Sequence, residues 1–398
     1  MPTKKVVLAY SGGLDTTYCA LHLGRDLGLE VHAVMVDTGG FTDEYKSEAE
    51  ARARALGVKH FMVIDALEDY YESCLRYLVY GNVLRNNTYP LSVSAERIFQ
   101  AMAVVEYANK IGADALAHGS TGAGNDQVRF DLAFQILGQD MEIITPIRDQ
   151  QLSRQSEIEY LKQNGLDLRW EKAKYSINAG LWGTSVGGAE TLTSDQPLPS
   201  AAYPTQASEA EPKTISLDFV QGELVGVDGR QYDHPVQAIR ALTEQIKPYA
   251  IGRDIHVGDT IIGIKGRVGF EAAAPLLIIK AHHLLEKHVL TKWQQYWKEQ
   301  LANWYGMLLH EGQYLDPSMR NIEVFLKDTQ QRVTGRVFAF LRTRDFELQG
   351  IDSPYDLMRS KFGQYGEMNL GWSGQDVRGF TKILANQSKI YHSLNEQP

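Results

Sequence analysis

The sequence predicts an α/β protein in which a doubly wound parallel-sheet domain precedes an α+β domain and a C-terminal helix. Short apolar runs rich in β-branched residues alternate with segments of helical periodicity, beginning with the run at 4–10. Such alternation favours parallel strands joined by helical crossovers. A glycine-bearing corner, Ser11 to Asp15, follows the first strand directly, as is typical of anion-binding turns. The 398 residues exceed what one compact core holds, so two or three domains are expected.

The elements of the first domain follow from these patterns. Strands are expected at 4–10, 30–36, 59–64, 114–117 and 141–145. Helices are expected at 14–27, 42–56, 67–80, from a cap at Ser92 or Ser94 to 110, and at 153–164. Ligands of such sheets bind at the carboxyl ends of the strands. Asp37 lies at one of these ends, where it fits a contact to ribose or adenine and a turn position equally well.

The second half of the chain predicts mixed structure. Expected elements are strands at 215–220 and 224–227, a helix at 234–249, a strand over 260–271 that breaks into a basic turn, one long helix at 274–310, and a hairpin of 322–326 with 332–341. The segment 175–185 is expected to be a loop that serves as a ligand lid or an interdomain contact, with Trp182 exposed. The stretch 187–213, rich in proline and small polar residues, predicts a surface excursion.

Two features predict contacts between subunits. Trp293, Trp297 and Trp304 share one face of the predicted long helix, which favours a packing or subunit surface. The amphipathic tail at 379–394 is of a kind that docks on a neighbouring subunit. The predicted domains are 1–165 for nucleotide binding, 166–375 for substrate binding and multimerisation, and 376–398 as a helical tail.

The corner at 11–17 carries the pattern S-G-G-x-D-[ST]. No lysine follows the glycines, which excludes a Walker loop, and G-x-G-x-x-G is missing, which excludes the dinucleotide fingerprint. The remaining interpretation is the pyrophosphate loop of enzymes that split ATP into AMP and pyrophosphate. Ser11, Thr16 and Thr17 would supply hydroxyls to the β- and γ-phosphates, and Asp15 would face the accompanying Mg²⁺.

A second glycine cluster at 118–130 joins a predicted strand to a predicted helix. Three glycines lie there among hydroxyl, amide and charged side chains. This density of polar groups predicts recognition of a small zwitterion. Arg129 suits a carboxylate, Asp126 suits an ammonium group, and Asn125 and Thr121 suit either.

Composition narrows the function further. The net charge of −9 and the pI of about 5.7 disfavour a nucleic-acid-binding surface. Two cysteines, Cys19 and Cys74, form no C-x-x-C pair, so neither a disulfide framework nor a zinc ribbon is expected, and a reducing, cytoplasmic location is predicted. No run is long enough to span a membrane, and none resembles a signal segment. His282, His283 and His288 do not form a metal-binding pattern.

Taken together, the two clusters resemble the argininosuccinate synthase family. The resemblance rests on 9–16 and 118–130 and extends through Tyr175-Ser176, 182–185, 263–267 and Ala281-His282 to 333–335, nearly the whole chain. It implies that citrulline attacks the α-phosphorus of ATP and that aspartate then displaces AMP from the citrullyl-adenylate. It also implies MgATP as co-substrate without a tightly bound cofactor, and a homotetramer joined by C-terminal helices.

The resemblance also implies roles for individual residues. Asp15, Asp126 and Arg129 would be catalytic. ATP would contact Ala9, Tyr10, Ser11, Gly12, Gly13, Leu14, Asp15, Thr16, Thr17, Val36 and Gly119. Aspartate would contact Thr121, Asn125 and Asp126. Citrulline would contact Tyr89, Ser94, Asn125, Arg129, Ser176 and Ser185. No residue is assigned to a resident metal.

Three positions depart from the family pattern. Gly258 stands where a glutamate is usual, Phe270 where a tyrosine is usual, and Ala123 where a lysine is usual. The first two belong to the citrulline pocket. Either Asp259 substitutes for the glutamate from the next position, or the substrate differs, in which case an N-acylated citrulline is the alternative. Two different classes of function also stay open, a tRNA-thiolating ATP pyrophosphatase and a non-catalytic ATP-binding scaffold. Pyrophosphate release that depends on citrulline and aspartate separates the ligase from both.

Overall fold

The structure, a computed structural model, describes residues 3–166, 175–208, 211–363, 365–367 and 371–395. A five-stranded parallel sheet in the order β3-β2-β1-β4-β5 forms the first layer. Its strands are β1 (Lys5–Ala9), β2 (Glu30–Asp37), β3 (His60–Asp65), β4 (Ala115–Ala117) and β5 (Glu142–Ile144). The predicted parallel sheet is therefore confirmed.

Helices cover both faces of this sheet. They are α1 (Leu14–Arg25), α2 (Asp43–Ala55), α3 (Leu67–Tyr70), α4 (Arg76–Tyr80), α5 (Glu96–Ile111), α6 (Asp126–Leu137), α7 (Pro146–Asp149) and α8 (Arg154–Gln163). Along β1, Val7 faces a core that includes Val104 of α5, whereas Val6 and Leu8 face a core that includes Cys19 of α1. Side chains alternate between the faces of a strand, so burial on both sides produces a continuous apolar run.

Two helical details differ from a regular pattern. A π-helical segment, Tyr71–Leu75, joins α3 to α4 and directs Tyr71 and Arg76 toward Glu223 of the second half. The predicted cap at Ser92 or Ser94 is wrong, because residues 92–95 form turns and α5 begins at Glu96 without a side-chain cap.

The second half builds two antiparallel sheets. One has the order β10-β9-β8-β13-β14, and the other has the order β11-β12-β7-β6. The strands are β6 (Ser176–Gly180), β7 (Gly183–Gly187), β8 (Lys213–Val220), β9 (Glu223–Val227), β10 (Arg230–Gln231), β11 (Arg253–Asp259), β12 (Lys265–Glu271), β13 (Gly335–Arg342) and β14 (Asp345–Asp352). The helices are α9 (Pro235–Ile246), α10 (Ala273–Val289), α11 (Lys292–His310), α12 (Pro317–Thr329), α13 (Gly374–Leu384) and α14 (Asn386–Asn395).

The segment 175–185 contradicts its prediction as a loop. It forms most of the hairpin β6–β7, and Trp182 at the tip is fully buried rather than exposed. The indole Nε1 of Trp182 donates to the carbonyl oxygen of Pro90 at 3.0 Å. A buried tryptophan needs a hydrogen-bond partner for its N–H. Because Pro90 supplies this partner, the contact holds the hairpin against the first half of the chain.

Three further predictions are wrong. Residues 260–264 form the turn between β11 and β12, so that strand begins only at Lys265. The long helix is interrupted at Leu290, where Thr291 starts α11 with a capping box that involves Gln294. Residues 322–326 lie in α12, and the hairpin is β13–β14 instead.

The C-terminal helices α13 and α14 present large apolar side chains to solvent. Phe380 is 64% exposed and Ile383 is 78% exposed. The tryptophans at 293, 297 and 304 are also more than half exposed. Among the helices of the described ranges, none combines the length and the apolar character that crossing a membrane requires.

Candidate active site

A cleft of about 840 Å³ opens at the carboxyl edge of the parallel sheet. It receives the corner after β1, the end of β2, the corner after β4, the start of α5 and the hairpin strand β6. We call this the nucleotide cleft. The strand ends place these corners side by side because parallel strands finish at the same edge.

The first corner holds its shape through local hydrogen bonds. Gly12 has a φ of +77°, in a region that glycine adopts without strain. The hydroxyls of Ser11 and Thr16 lie 3.3 Å apart, and Tyr45 donates its hydroxyl to the Ser11 carbonyl at 3.0 Å. Helix α1 begins at Leu14 without a side-chain cap. Its first N–H groups therefore point toward the cleft with the positive end of the helix dipole.

Most of the residues predicted to contact ATP line this cleft. These are Ala9, Tyr10, Ser11, Gly13, Leu14, Asp15, Thr16, Val36 and Gly119. Gly12 and Thr17 lie behind the wall. A Cβ at Gly12 would meet the Ala49 side chain at 3.0 Å, and the Thr17 hydroxyl is fully buried. The Thr17 hydroxyl is therefore not at the cleft surface, in contrast to the role expected for it.

The two glycine corners touch each other. A Cβ added at Gly119 would lie 3.2 Å from the Asp15 carbonyl carbon and 3.3 Å from the Thr16 backbone nitrogen. Any side chain at this position would push the second corner away from the first. The two stretches singled out in the sequence thus converge on one site.

Asp126 stands at the start of α6 between two arginines. Its carboxylate accepts from Arg97 Nε at 3.1 Å and from Arg129 Nη1 at 2.8 Å. Desolvation tends to raise the pKa of Asp126, but the two guanidinium groups outweigh it and hold the pKa below its usual value. The carboxylate is therefore ionised and paired with both guanidinium groups.

Arg129 is 3% exposed and anchors this cluster. Its Nε and Nη2 donate to the His310 carbonyl oxygen at 3.1 and 2.8 Å. Together with the bond to Asp126, these contacts engage three of the five guanidinium N–H groups. The two remaining N–H groups leave Arg129 capable of contacts to a ligand.

A second, smaller cavity of about 250 Å³ adjoins the nucleotide cleft. We call it the side pocket. The residues that line both cavities are Arg97, Asp126 and Asn178. Of the positions predicted for citrulline, the side pocket contains Tyr89, Ser94, Asn125, Arg129 and Ser185. Ser176 lines the nucleotide cleft instead, as does Thr121.

The hairpin β11–β12 closes the far end of the side pocket. Asn125 ties this hairpin to the second corner, because its Oδ1 accepts from the backbone N–H of Ile261 at 2.9 Å. His256 of β11 stacks on Tyr89 with 5.0 Å between ring centroids. His310 lines the same pocket. Burial, with Arg129 as the largest electrostatic cause, lowers the pKa of His310 to about 3.

Two carboxyl groups near the nucleotide cleft are held partly neutral. Burial raises the pKa of Glu96 to about 7 against the opposing effect of Arg97. Burial and the neighbouring Asp15 raise the pKa of Glu157 to about 8. Glu157 lies behind the first corner and is 2% exposed. Glu157, the carboxyl group behind Asp15, is therefore largely protonated at neutral pH.

The structure decides between the two roles considered for Asp37. Its Oδ1 accepts from the Gly39 backbone N–H at 2.8 Å, and its Oδ2 lies 2.6 Å from Lys46 Nζ. The flanking residues Val36 and Thr38 line the cleft, whereas Asp37 does not. Asp37 is thus a turn residue that also positions α2.

Among the described residues, Glu30, His32 and His60 form the one group close enough to hold a metal ion. The group lies at the start of β2, at the end of the sheet opposite the cleft. The imidazole rings stack at 4.1 Å with 6° between their planes. In-plane lone pairs on parallel rings do not converge on one point, so this arrangement is a poor metal site.

Sequence reasoning missed several residues that line the two cavities. The most informative are Arg97, Asn178, His256 and His310. Each lies outside the two glycine corners. Of the four, only Asn178 falls in a stretch, 175–185, for which the sequence predicts a ligand lid or an interdomain contact. The one local signal for Arg97 is its place beside Glu96 in a predicted helix. Site residues that lack a local motif can be identified only once the tertiary structure places them in the same cavity.

The comparisons with known proteins cover almost the whole chain. The family model described as "Arginosuccinate synthase N-terminal HUP domain" matches residues 5–167. The model described as "Arginosuccinate synthase C-terminal domain" matches residues 175–391. A protein from Xylella fastidiosa named "Argininosuccinate synthase" is 36% identical over 407 residues, covering 99% of each chain. One of that name from Methanocaldococcus jannaschii is 36% identical over 388 residues, covering 97% of each chain.

The parallel sheet, with a glycine corner and an uncapped helix start at its carboxyl edge, defines a HUP-type α/β protein with a pyrophosphate-loop sequence. The second half adds antiparallel sheets and helices that complete the side pocket. The chain belongs to the argininosuccinate synthase family.

Proposed function

We propose that this chain is a ligase that joins citrulline to aspartate, consuming ATP and releasing AMP and pyrophosphate, in arginine biosynthesis. The contact between the two glycine corners carries this proposal. Gly119 lies against Asp15 and Thr16, so a triphosphate on the first corner and an amino acid on the second would be adjacent. The names of the relatives agree with this reaction.

The first corner is suited to the phosphates of MgATP, the nucleotide co-substrate. The N–H groups at the start of α1 and the hydroxyls of Ser11 and Thr16 would bind phosphate oxygens. Asp15 would ligate Mg²⁺, which is commonly held by one or two carboxylates together with substrate phosphates. No tightly bound cofactor enters the proposal.

The second corner and the side pocket would hold the amino acids. Aspartate would lie near Thr121 and Asp126, and the ureido substrate would occupy the side pocket beside Ser94 and Arg129. The residues shared by the two cavities mark where the substrates meet. The ureido oxygen would attack the α-phosphorus there, and the bond from phosphorus to pyrophosphate would break.

Catalysis would then consist of alignment and charge stabilisation. Adenylation converts the ureido oxygen into part of a good leaving group, AMP. The amine of aspartate attacks the ureido carbon, loses a proton and displaces AMP, which keeps that oxygen. Arg97 and Arg129 would stabilise the negative charge that develops, and no side-chain nucleophile is required.

An isotope experiment tests this route. Citrulline labelled with ¹⁸O at the ureido position should transfer its label to AMP when ATP and aspartate are present. The unlabelled reaction and a reaction without aspartate serve as controls. AMP that forms without the label would contradict attack by the ureido oxygen.

Pyrophosphate release separates this ligase from two different classes of protein. A tRNA-thiolating enzyme would release pyrophosphate only with tRNA, and an ATP-binding scaffold would release none. The negative net charge and the two buried cysteines, Cys19 and Cys74, speak against the thiolating enzyme. The acidic and basic side chains at the cleft speak against the scaffold.

We further propose a cytoplasmic homotetramer whose units are 1–165, 166–375 and a multimerising tail at 376–398. The apolar side chains that α13 and α14 expose need a covering surface. Light scattering should give four subunits for the full chain and fewer for a chain that ends at residue 373. A full-length monomer at micromolar concentration would contradict the assembly.

A further inference from the structure

The shape of the side pocket determines which end of the ureido substrate faces which wall. Its boundary with the nucleotide cleft is formed by Arg97, Asp126 and Asn178. The ureido group must lie at this boundary to reach ATP. The α-carbon end of the substrate therefore faces residues that line the side pocket alone. Among these are His256, Gly258 and Val268, which form one wall from the β11–β12 hairpin.

That wall offers no buried carboxylate for an α-ammonium group. Of the residues that line the side pocket, two carry carboxylates. Asp126 is paired with two arginines, as described above. Asp259 is 63% exposed and pairs with Lys265 at 2.5 Å. A buried ammonium group without a carboxylate is costly, so this wall disfavours the free amino group of citrulline.

A neutral imidazole occupies the space where a longer side chain would stand. His256 and Gly258 are two residues apart on β11 and so face the same side. A Cβ at Gly258 would lie 2.6 Å from the His256 Nε2, so the glycine makes room for this ring. Burial, aided by Arg85, lowers the pKa of His256. The ring is therefore uncharged at neutral pH.

The side pocket also contains polar atoms that lack a partner. Within the described ranges, the Nδ1 of His256 and the Oγ of Ser94 are buried without a hydrogen bond. Buried polar groups are normally satisfied, and a ligand is one way to satisfy them. Tyr89, Val93 and Val268 give the same pocket apolar surface. Phe270 is fully buried and packs on Tyr89 with 5.3 Å between ring centroids.

From these observations we propose that the ureido substrate of this chain is a citrulline whose α-nitrogen carries an acyl group. This inference rests on the proposed function and changes only the substrate of the same site. An amide nitrogen has no charge, its carbonyl oxygen accepts from His256 or Ser94, and its alkyl part contacts Tyr89 and Val93. The acyl group takes no part in the bonds that form and break, so the product is the N-acylated argininosuccinate.

Steady-state pyrophosphate release tests the inference with the full chain, ATP and aspartate. Citrulline, N-acetylcitrulline and N-succinylcitrulline are compared by kcat/KM, and the two acyl compounds distinguish a neutral from an acidic acyl group. We expect at least one of them to exceed citrulline roughly tenfold to a hundredfold, because a buried ammonium group would lack its partner. Citrulline that equals or exceeds both acyl compounds overturns the inference and leaves the proposed function intact. A chain that releases no pyrophosphate with any of the three overturns both.

A double variant gives a second, independent reading. His256→Ala with Gly258→Glu removes the ring that blocks position 258 and introduces a carboxylate at the same wall. We expect the ratio of kcat/KM for acylated over free citrulline to fall by about tenfold or more. His256→Ala alone is the matched control, because it opens the space without adding charge. An unchanged kcat/KM ratio in the folded double variant would contradict the role given to this wall. If the double variant does not fold, the kcat/KM comparison of the three substrates with the unaltered chain tests the inference.

Discussion

The nucleotide cleft and the side pocket are neighbours, but their walls are built differently. Most residues that line the nucleotide cleft come from the first half of the chain, and the two glycine corners supply many of them. The residues that line the side pocket come from both halves. Local sequence therefore determines much of the first cavity, whereas the second depends on how the two halves pack.

The difference extends to charge. The nucleotide cleft places a helix start, hydroxyls and Asp15 around an expected polyanion and its metal ion. The side pocket encloses arginines that are already paired and histidines that burial keeps neutral. The nucleotide cleft is thus suited to a highly charged ligand. The side pocket is suited to selecting a ligand by its shape and its hydrogen bonds.

The largest expected effect concerns Arg129, the buried anchor of the side pocket. Replacing Arg129 with alanine leaves the buried His310 carbonyl unpaired and removes a partner of Asp126. We expect kcat/KM to fall on the order of a hundredfold or more and the free energy of unfolding to fall by about 3 kcal/mol. Kinetics and urea denaturation measure these changes.

Arg342 provides a matched control for Arg129. It forms an ion pair with Asp345 at the same sequence spacing of three residues, but both side chains are at least half exposed. Arg342→Ala should change stability by less than about 0.5 kcal/mol and leave kinetics unchanged. Equal losses of stability and kcat/KM in the Arg129 and Arg342 variants would contradict the importance of burial for the Arg129–Asp126 pair.

The next effect tests the nucleotide cleft. Asp15→Asn keeps the shape of the side chain but removes the charge that would face Mg²⁺. We expect kcat to fall about a hundredfold, with a higher Mg²⁺ concentration needed for half-maximal rate. Asp43→Asn, at a fully exposed carboxylate on α2, is the control. An unaltered response to Mg²⁺ in Asp15→Asn would remove Asp15 from the metal-binding role.

A pH experiment addresses the side pocket through His310. The pKa of this histidine is about 3 in the folded state and near 6.5 in an unfolded chain, so only the unfolded state gains a proton as the pH falls through 6.5. Stability contributed by the neutral ring is therefore present above pH 6.5 and lost below it, by about 2 kcal/mol at pH 5. His310→Gln should show a smaller loss between about pH 7.5 and pH 5 in urea denaturation. His392→Gln, on the exposed helix α14, should retain the loss seen in the unaltered chain.

The smallest effect tests the contact between the corners. Gly119→Ala places a methyl group 3.2 Å from the backbone of Asp15 and forces the corners slightly apart. We expect KM for ATP to rise about tenfold with little loss of stability. Gly122→Ala is the control in the same corner, because its Cβ would meet only Arg148 Cγ at 3.7 Å. The same KM in both variants would mean that the close approach at Gly119 is not needed.

The sequence predicts the first region of this comparison better than the second. The parallel sheet and the two glycine corners follow from local patterns, since apolar runs, glycines and caps act over a few residues. The elements of the second half are less predictable. The helical period of α12 appears only over a window longer than 322–326, in which Met319, Ile322 and Leu326 form the buried face. The Asp316 cap and Pro317 mark its start.

Long-range burial explains the remaining errors. Trp182 looks exposed beside glycines and serines, but the hairpin places it beneath the turn at Pro90. His256 and His310 lie in segments without a motif, and they enter the side pocket only because β11 and α11 pack against the first half. No local sequence pattern specifies these contacts between segments that are distant in the chain. The predicted substrate contacts therefore identify the region, whereas the wall that sets specificity emerges only from the tertiary structure.

The π-helical segment at 71–75 has a consequence for how the two halves are held in register. A π turn accommodates one more residue than an α turn, so it advances every following side chain around the helix axis by about 100°. Arg76 reaches Glu223 at 2.7 Å only after this advance. Deleting a single residue from the segment would rotate Arg76 away from Glu223 and remove this ion pair between the two halves. One additional residue thus sets the direction in which Arg76 leaves the helix.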